Sequence, residues 1–348
     1  MGWALLVFLP MGRKLAQNIK GDAMDRREVM GLGLAGAVAF ATGAQAQGAD
    51  GFLPGDSTEF VTLWRGLAPG GEGINLTLKF TDAVQPDGYH VRSVSQIQRP
   101  GFFVYRPARP NGLSLLVIPG GGYTSEGMDR GGREVAQHFA QNGITCFVLR
   151  YRLPGEGWKN RADVPLQDAQ RAMRLIRANA ARYGINPAKL SAIGFSAGGH
   201  VAASLATRHG ANVYAAVDTA DTQSAKPVVT GLMYPVVTMG EGAHPSSRDM
   251  TLGPSPSPQA VDAYSVERHV PADTAPSFIC LAADDTTVPP FPNGIALFGA
   301  LQAAKIPSDL HVFEVGGHGF SIHWSQGKPC GAWPELFTAW AATHGFTA

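Results

Sequence analysis

Cysteine is scarce in this chain, with three residues in 348. Cys146 and Cys280 lie inside apolar runs that read as buried strands, where a thiol serves as a small hydrophobe, and Cys330 is left over in a loop. An oxidising compartment therefore forces no disulfide framework on the protein, and no cysteine sits where a nucleophile would. Charge is also low, at 16 % of residues, and balanced at 28 basic against 27 acidic. There is no basic stripe and no zinc-ligand spacing, which argues against nucleic acid as a partner and points to a neutral or weakly polar substrate without a metal cofactor. Hydrophobic residues make up 45 %, enough for a large core.

Long apolar runs are confined to the N-terminal region. Arg26-Arg27 precedes an apolar, glycine-rich and alanine-rich stretch from Val29 to Thr42, and Ala44-Gln45-Ala46 offers the small-x-small pattern of a signal-peptidase site. The twin arginine is similar to a Tat signal but departs from it after the arginines, so Sec export stays open, as does Met24 as an alternative start. The expectation is a signal peptide and upstream segment over 1–46 and a single catalytic domain over 47–348, periplasmic or secreted. No other stretch is apolar and long enough to span a bilayer. The cleavage site carries no cysteine for a lipid anchor, so the mature form is expected to be free of the membrane.

What is present begins with Gly194-Phe195-Ser196-Ala197-Gly198-Gly199-His200, set between a β-like run (Leu190 to Ile193) and a small-residue helical run (Val201 to Leu205). A serine on a sharp strand-to-helix turn, with glycines two residues either side, is a nucleophile elbow. Ser196 is the candidate nucleophile, and it needs a base and an orienting acid. The apolar run Phe278 to Ala283 ends in Asp284-Asp285, either of which could be the acid. The run Leu310 to Val315 is followed by Gly316-Gly317-His318-Gly319, which makes His318 the candidate base. The chain order Ser, Asp, His is that of α/β-hydrolases. Upstream, Leu115 to Ile118 ends in Pro119-Gly120-Gly121-Gly122-Tyr123. Glycines let bare amides approach a developing oxyanion, so the expected donors are the Ala197 N–H and that of Gly121 or Gly122. Proline stands here where lipases and esterases commonly carry a histidine ahead of the glycines, which removes any loop-pinning bond such a histidine would make.

Apolar strands alternate with helical patterns from Leu113 onward, the mark of a doubly wound, mostly parallel sheet with helices on both faces. The expected helices include Gly132 to Asn142 and Leu166 to Tyr183. Short β-like segments between Thr58 and Tyr105 read as leading antiparallel strands. Gly240 to Pro271, rich in glycine, proline and serine, reads as an irregular lid or pocket-wall insertion, with a surface loop as the alternative.

Taken together these motifs resemble the α/β-hydrolase fold carbohydrate esterases, especially the secreted acetylxylan esterase-like group. The resemblance rests on Leu63-Trp64, Ala68-Pro69-Gly70, Pro119 to Tyr123, Tyr151-Arg152-Leu153-Pro154, Gly194 to His200, Asp284 to Pro289 and Gly316 to Phe320. It implies Asp285 as the acid, since Asp285-Thr286-Thr287-Val288-Pro289 fits the family's Asp-x-x-Val-Pro spacing and Asp284 does not. It also implies a serine esterase that removes acetyl groups from a xylan-type oligosaccharide or polysaccharide through an acyl-enzyme. Tyr123, Trp158 and Trp324 lie on or beside loops where an aromatic ring could stack on a sugar, with ordinary packing as the alternative. His244 and His323 also sit in loops that could line a pocket, and both read as satisfied surface histidines. The competing enzyme is a general carboxylesterase or feruloyl esterase with a larger acyl pocket, and the competing non-enzyme is a catalytically silent α/β-hydrolase used for binding. A prolyl oligopeptidase-type peptidase lacks room for its propeller, and a glycosidase lacks paired carboxylates. Oligomeric state is not encoded in these motifs.

Overall fold

The computed structural model describes residues 56–348, so the export segment expected over 1–46 lies outside the described residues. Eleven strands run through the described chain: β1 (Phe60–Thr62), β2 (Lys79–Val84), β3 (His90–Ser95), β4 (Gly101–Tyr105), β5 (Ser114–Ile118), β6 (Glu126–Gly127), β7 (Thr145–Arg150), β8 (Leu190–Phe195), β9 (Thr230–Met233), β10 (Ser277–Ala282) and β11 (Ser308–Phe313). The helices are α1 (Glu134–Gln141), α2 (Val164–Ala178), α3 (Ala180–Tyr183), α4 (Ala197–Arg208), α5 (Pro245–Leu252), α6 (Pro258–Tyr264), α7 (Ala296–Ala303) and α8 (Trp333–Ala342).

Eight strands form one sheet in the order β1-β4-β7-β5-β8-β9-β10-β11. The pairs from β7 through β11 are parallel, and β1 and β4 are the antiparallel leading strands. The interior strands β5, β7, β8 and β10 are buried along their whole length, which is why each reads as a continuous apolar run rather than an alternation. At the edge, β11 is half exposed. Helix α2 buries Leu166, Ala169, Met173 and Ile176, the three-four spacing of one helical face. It ends earlier than its pattern suggests. Asn179 leaves the helical region and its side chain bonds the Leu175 carbonyl at 2.8 Å, so Ala180 to Tyr183 forms a separate turn closed by Gly184 at φ +65°.

Two further departures from expectation bear on the site. A small second sheet, β2-β3-β6, stands beside the glycine loop; its outer strand β2 is largely exposed and its amphipathic signal is weak. The segment 240–271 is not irregular, since α5 and α6 lie within it. Each opens with a proline in its first turn after a side-chain cap: His244 accepts from the Ser247 amide, and Ser257 from the Ala260 amide.

The residues near Trp64, Pro69 and Arg152 converge on one buried acid. Asp168 accepts from Trp64 Nε1 (2.8 Å), the Arg152 amide (2.8 Å) and the Arg152 guanidinium, which also reaches the Pro69 carbonyl at 2.7 Å. Arg152 and Asp168 are both fully buried, so each is the other's replacement for water.

Candidate active site

The site forms at the carboxyl ends of β5, β8 and β10, where ligands sit in open parallel sheets. Ser196 joins β8 to α4 with φ 54° and ψ −119°, a strained conformation for a residue bearing a side chain. Glycine is required on both sides: a Cβ on Gly194 would lie 2.1 Å from the Gly198 carbonyl oxygen, and one on Gly198 would lie 2.2 Å from that of Ile118. The backbone strain lifts Ser196 Oγ into a cleft of about 530 Å³ that His318, Gly121 and Gly122 also line.

The structure brings Ser196, His318 and Asp285 together. With the hydrogens assigned from the network, Ser196 O–H donates to His318 Nε2 at 2.8 Å and His318 Nδ1–H donates to Asp285 Oδ2 at 2.7 Å. The other Asp285 oxygen accepts from the Thr287 and Val288 amides, both at 2.9 Å, so the carboxylate is fixed in place although only 5 % exposed. Asp284 has a different task. It accepts from the Gly317 amide at 2.7 Å and the Gly316 amide at 2.9 Å, tying the histidine loop to the end of β10, and the Gly317 bond leads in holding its carboxyl below the usual range.

Ala197 is the first residue of α4, whose first-turn amides have no acceptor within the helix. Gly121 and Gly122 have φ +140° and +63°, and a Cβ on Gly121 would collide with the Ser125 carbonyl at 2.0 Å. The glycine loop is pinned from below. Tyr151 O–H donates to the Pro119 carbonyl at 3.0 Å, and the Gly127 amide bonds the Gly120 carbonyl at 2.8 Å.

None of the three candidate sugar-stacking aromatics lines the cleft. Tyr123 is 2 % exposed because its left-handed backbone (φ 61°) turns the ring into the core, where its O–H meets His200 Nδ1 at 2.8 Å. Trp158 is buried under the Arg152 guanidinium, 4.9 Å from the ring, and packs against Gly71. Neither lines the cleft. Trp324 is half-buried beside it, under the Arg130 guanidinium at 4.8 Å and edge-on to Tyr89. His323 is satisfied at the surface by Asp87 at 2.8 Å. His244 is half-buried and satisfied by Ser247 at 2.9 Å, and it lines the cleft against Gly122, its basicity lowered first by burial and then by the nearby His318. Cys330, expected in a loop, is buried.

Sequence reasoning also passed over Tyr234 and Arg130. Tyr234 stacks edge-on to His318 at 5.0 Å from a strained φ of 37°, its amide held by the Cys280 carbonyl at 2.7 Å, and burial pushes its phenol above the usual range. Its place directly after β9 was the available clue. Arg130 lines the cleft. Among the described residues no three His, Cys, Asp or Glu side chains cluster to hold a metal ion, and no helix is long and apolar enough to cross a membrane.

Fold and site together define an α/β-hydrolase. The chain belongs to the BD-FAE family, whose profile matches residues 104–293. Over 227 residues it is 35 % identical to endo-1,4-beta-xylanase B of Butyrivibrio fibrisolvens, covering 65 % of this chain and 34 % of that protein. Over 222 residues it is 30 % identical to an acetylxylan esterase of Xylanibacter ruminicola, covering 63 % and 43 %. The chain thus spans less than half the length of either relative. Among solved structures, the acetyl ester-xyloside bifunctional hydrolase of Caldicellulosiruptor lactoaceticus superposes with a TM-score of 0.68 at 29 % identity, over 84 % of this chain and 98 % of that one. Esterase Est2 of Thermogutta terrifontis superposes at 0.59 and 27 % identity, over 72 % and 89 %.

Proposed function

We propose that this protein is a serine esterase that removes acetyl groups from xylan-type carbohydrate esters. One observation carries the reading: a single imidazole bridges Ser196 Oγ and the buried Asp285 carboxylate inside a glycine-walled cleft. The similarity to an acetylxylan esterase and an acetyl ester-xyloside hydrolase supports the substrate class.

In this reading Ser196 Oγ attacks the acetyl carbonyl carbon while His318 Nε2 takes its proton, and Asp285 holds the Nδ1–H tautomer and stabilises the imidazolium. The carbonyl oxygen becomes an anion facing the amides of Ala197 and of Gly121 or Gly122. Collapse breaks the bond to the sugar oxygen, which leaves with the proton from His318 Nε2. Water, deprotonated by the same nitrogen, then attacks the acetyl-serine and releases acetate. The signal-like pattern from Arg26 to Ala46 supports placing the enzyme in the periplasm or the medium as part of this reading.

The test is acetate release from acetylated xylan, together with hydrolysis of short and long aryl esters, by the wild type and Ser196→Ala. The reading expects acetyl groups to be preferred and Ser196→Ala to lose about 10³-fold or more in kcat. A preference for long or aromatic acyl groups would instead favour a general or feruloyl esterase. Inactivity of the wild type on every ester would refute the catalytic reading.

A further inference from the structure

Among the residues lining the cleft, Arg130 carries the one fixed charge, and its setting is built rather than incidental. The backbone just before α1 kinks rather than continuing the helix. Arg130 (φ −74°, ψ 121°) and Gly131 (φ 74°, ψ 5°) have the dihedrals of the two central residues of a type II β-turn, with glycine at the position that needs a positive φ, and the turn fixes the direction of the Arg130 side chain. The guanidinium lies over the Trp324 ring with Cζ 4.8 Å from its centroid. Trp324 is itself braced edge-on by Tyr89 and His323, whose rings stack at 4.0 Å. On the His318 loop, glycine at 319 leaves room for Arg130: a Cβ there would stand 3.0 Å from both Cζ and Nη1.

Every acid near Arg130 in the chain or in this cluster is committed elsewhere. Asp129 binds Arg92 at 2.6 Å and Arg133 at 3.1 Å. Glu134 accepts from the Ile322 and His323 amides and from Tyr89 O–H. Asp87 pairs with His323, and Asp285 with His318. Among the described residues the Arg130 guanidinium has no hydrogen bond or ion pair, only its place over Trp324 and against Gly319. A planar cation held still by stacking, with its N–H groups unspent in the same cleft as the reactive serine, is preorganised for a two-oxygen anion.

We propose that Arg130 is a specificity residue that receives a carboxylate of the substrate, so that the preferred ester is an acidic one, such as an acetylated xylooligosaccharide bearing a uronic acid. This rests on the esterase reading and narrows its substrate class, replacing the neutral substrate that the balanced composition suggested. The carboxylate could sit on the alcohol side, as a sugar acid, or on the acyl side, as a dicarboxylic half-ester.

Two pairs of substrates separate these sources: acetylated xylooligosaccharides with and without a uronic acid, and 4-nitrophenyl hemisuccinate against 4-nitrophenyl acetate. The readout is the ratio of kcat/KM, acidic over neutral, which depends only on folded, active enzyme. The wild type is expected to favour the acidic member of one pair by about 10-fold, the usual scale of a charge-assisted bond. That ratio should fall to about 1 in Arg130→Gln, recover in part in Arg130→Lys, and shrink with added salt. A wild-type ratio near or below 1 for both pairs overturns the proposal. So does a ratio unchanged in Arg130→Gln, including the case where only its pH profile moves, which would make Arg130 an electrostatic neighbour of His318. If the wild type hydrolyses none of the four esters, the esterase reading has failed separately. Calorimetric binding of the two xylooligosaccharides to Ser196→Ala then decides the matter for Arg130: tighter binding of the acidic one supports it, and equal or no binding overturns it.

Discussion

His200 is buried on α4 four residues after the nucleophile, and it is wired as a neutral imidazole. Its Nε2–H donates to the Tyr264 carbonyl at 3.0 Å, while Nδ1 accepts from Tyr123 O–H at 2.8 Å. A proton on Nδ1 would remove the acceptor and bury a charge. Burial, with the Tyr264 carbonyl opposing it and Arg208 adding to it, takes the His200 pKa down to about 4. In the unfolded chain the value is about 6.5, so between these pH values the unfolded state binds the extra proton. The contribution to stability is therefore complete above pH 6.5, lost progressively as pH falls, and gone below about pH 4. At about 1.4 kcal/mol per unit the whole effect is roughly 3 kcal/mol.

Glutamine at this position can accept and donate through its amide and does not titrate. We expect His200→Gln to be about 1–2 kcal/mol less stable than the wild type at pH 7, where packing and bond geometry suffer. Toward pH 4 the two should converge or cross. Urea unfolding followed by tryptophan fluorescence from pH 4 to pH 7 measures the difference. Stability curves that run parallel across that window would show that His200 does not titrate in the way its burial dictates. Since Tyr123 ends the glycine loop, Tyr123→Phe in the same assay should lose about 1–3 kcal/mol at pH 7 for the orphaned Nδ1.

The neighbouring acids should separate cleanly. Asp285→Asn should lower kcat by about 10⁴ with little change in KM, because the amide favours the wrong imidazole tautomer. Asp284→Asn keeps a carbonyl oxygen for the Gly316 and Gly317 amides and should cost less than about tenfold, since it loses only charge assistance. Reversal of that order in steady-state kinetics would reassign the acid. Away from the site, Asp168→Asn leaves the fully buried Arg152 guanidinium without its counter-charge and should destabilise by about 3–5 kcal/mol in denaturant unfolding. A loss under 1 kcal/mol would mean that the Gln167 side-chain oxygen (3.0 Å), the Pro69 carbonyl and the Trp64 ring 5.6 Å below suffice to hold it.

What sets each element determines how far the sequence alone reveals it. The interior strands were legible because burial on both faces leaves no choice but an apolar run, as in Leu115 to Ile118 or Phe278 to Ala282. The elbow was legible because its constraint is steric and local. Gly194 and Gly198 sit where backbone oxygens leave no room for a Cβ. Helices α5 and α6 hide in a segment whose proline and serine content suggests a loop, because His244-Pro245 and Ser257-Pro258 are helix starts built from the same residues.

Side-chain direction within loops is where one-dimensional reading gave out. Asp284 and Asp285 are adjacent at the end of one strand, and which of them meets His318 is decided by the Gly316 and Gly317 amides, 32 and 33 residues further on, which occupy Asp284. Tyr123 follows the glycine loop and so looked like a cleft residue, but one left-handed dihedral sends its ring inward to His200. The consequence is functional. The glycine loop lacks the histidine that commonly precedes it in esterases, and here it is anchored from its far end by Tyr123 and from beneath by Tyr151, so the pinning contact has moved along the chain rather than been lost. Arg130 is illegible for the same reason, since Gly131 marks a turn but nothing in Asp129-Arg130-Gly131 says that the turn delivers a cation to the cleft.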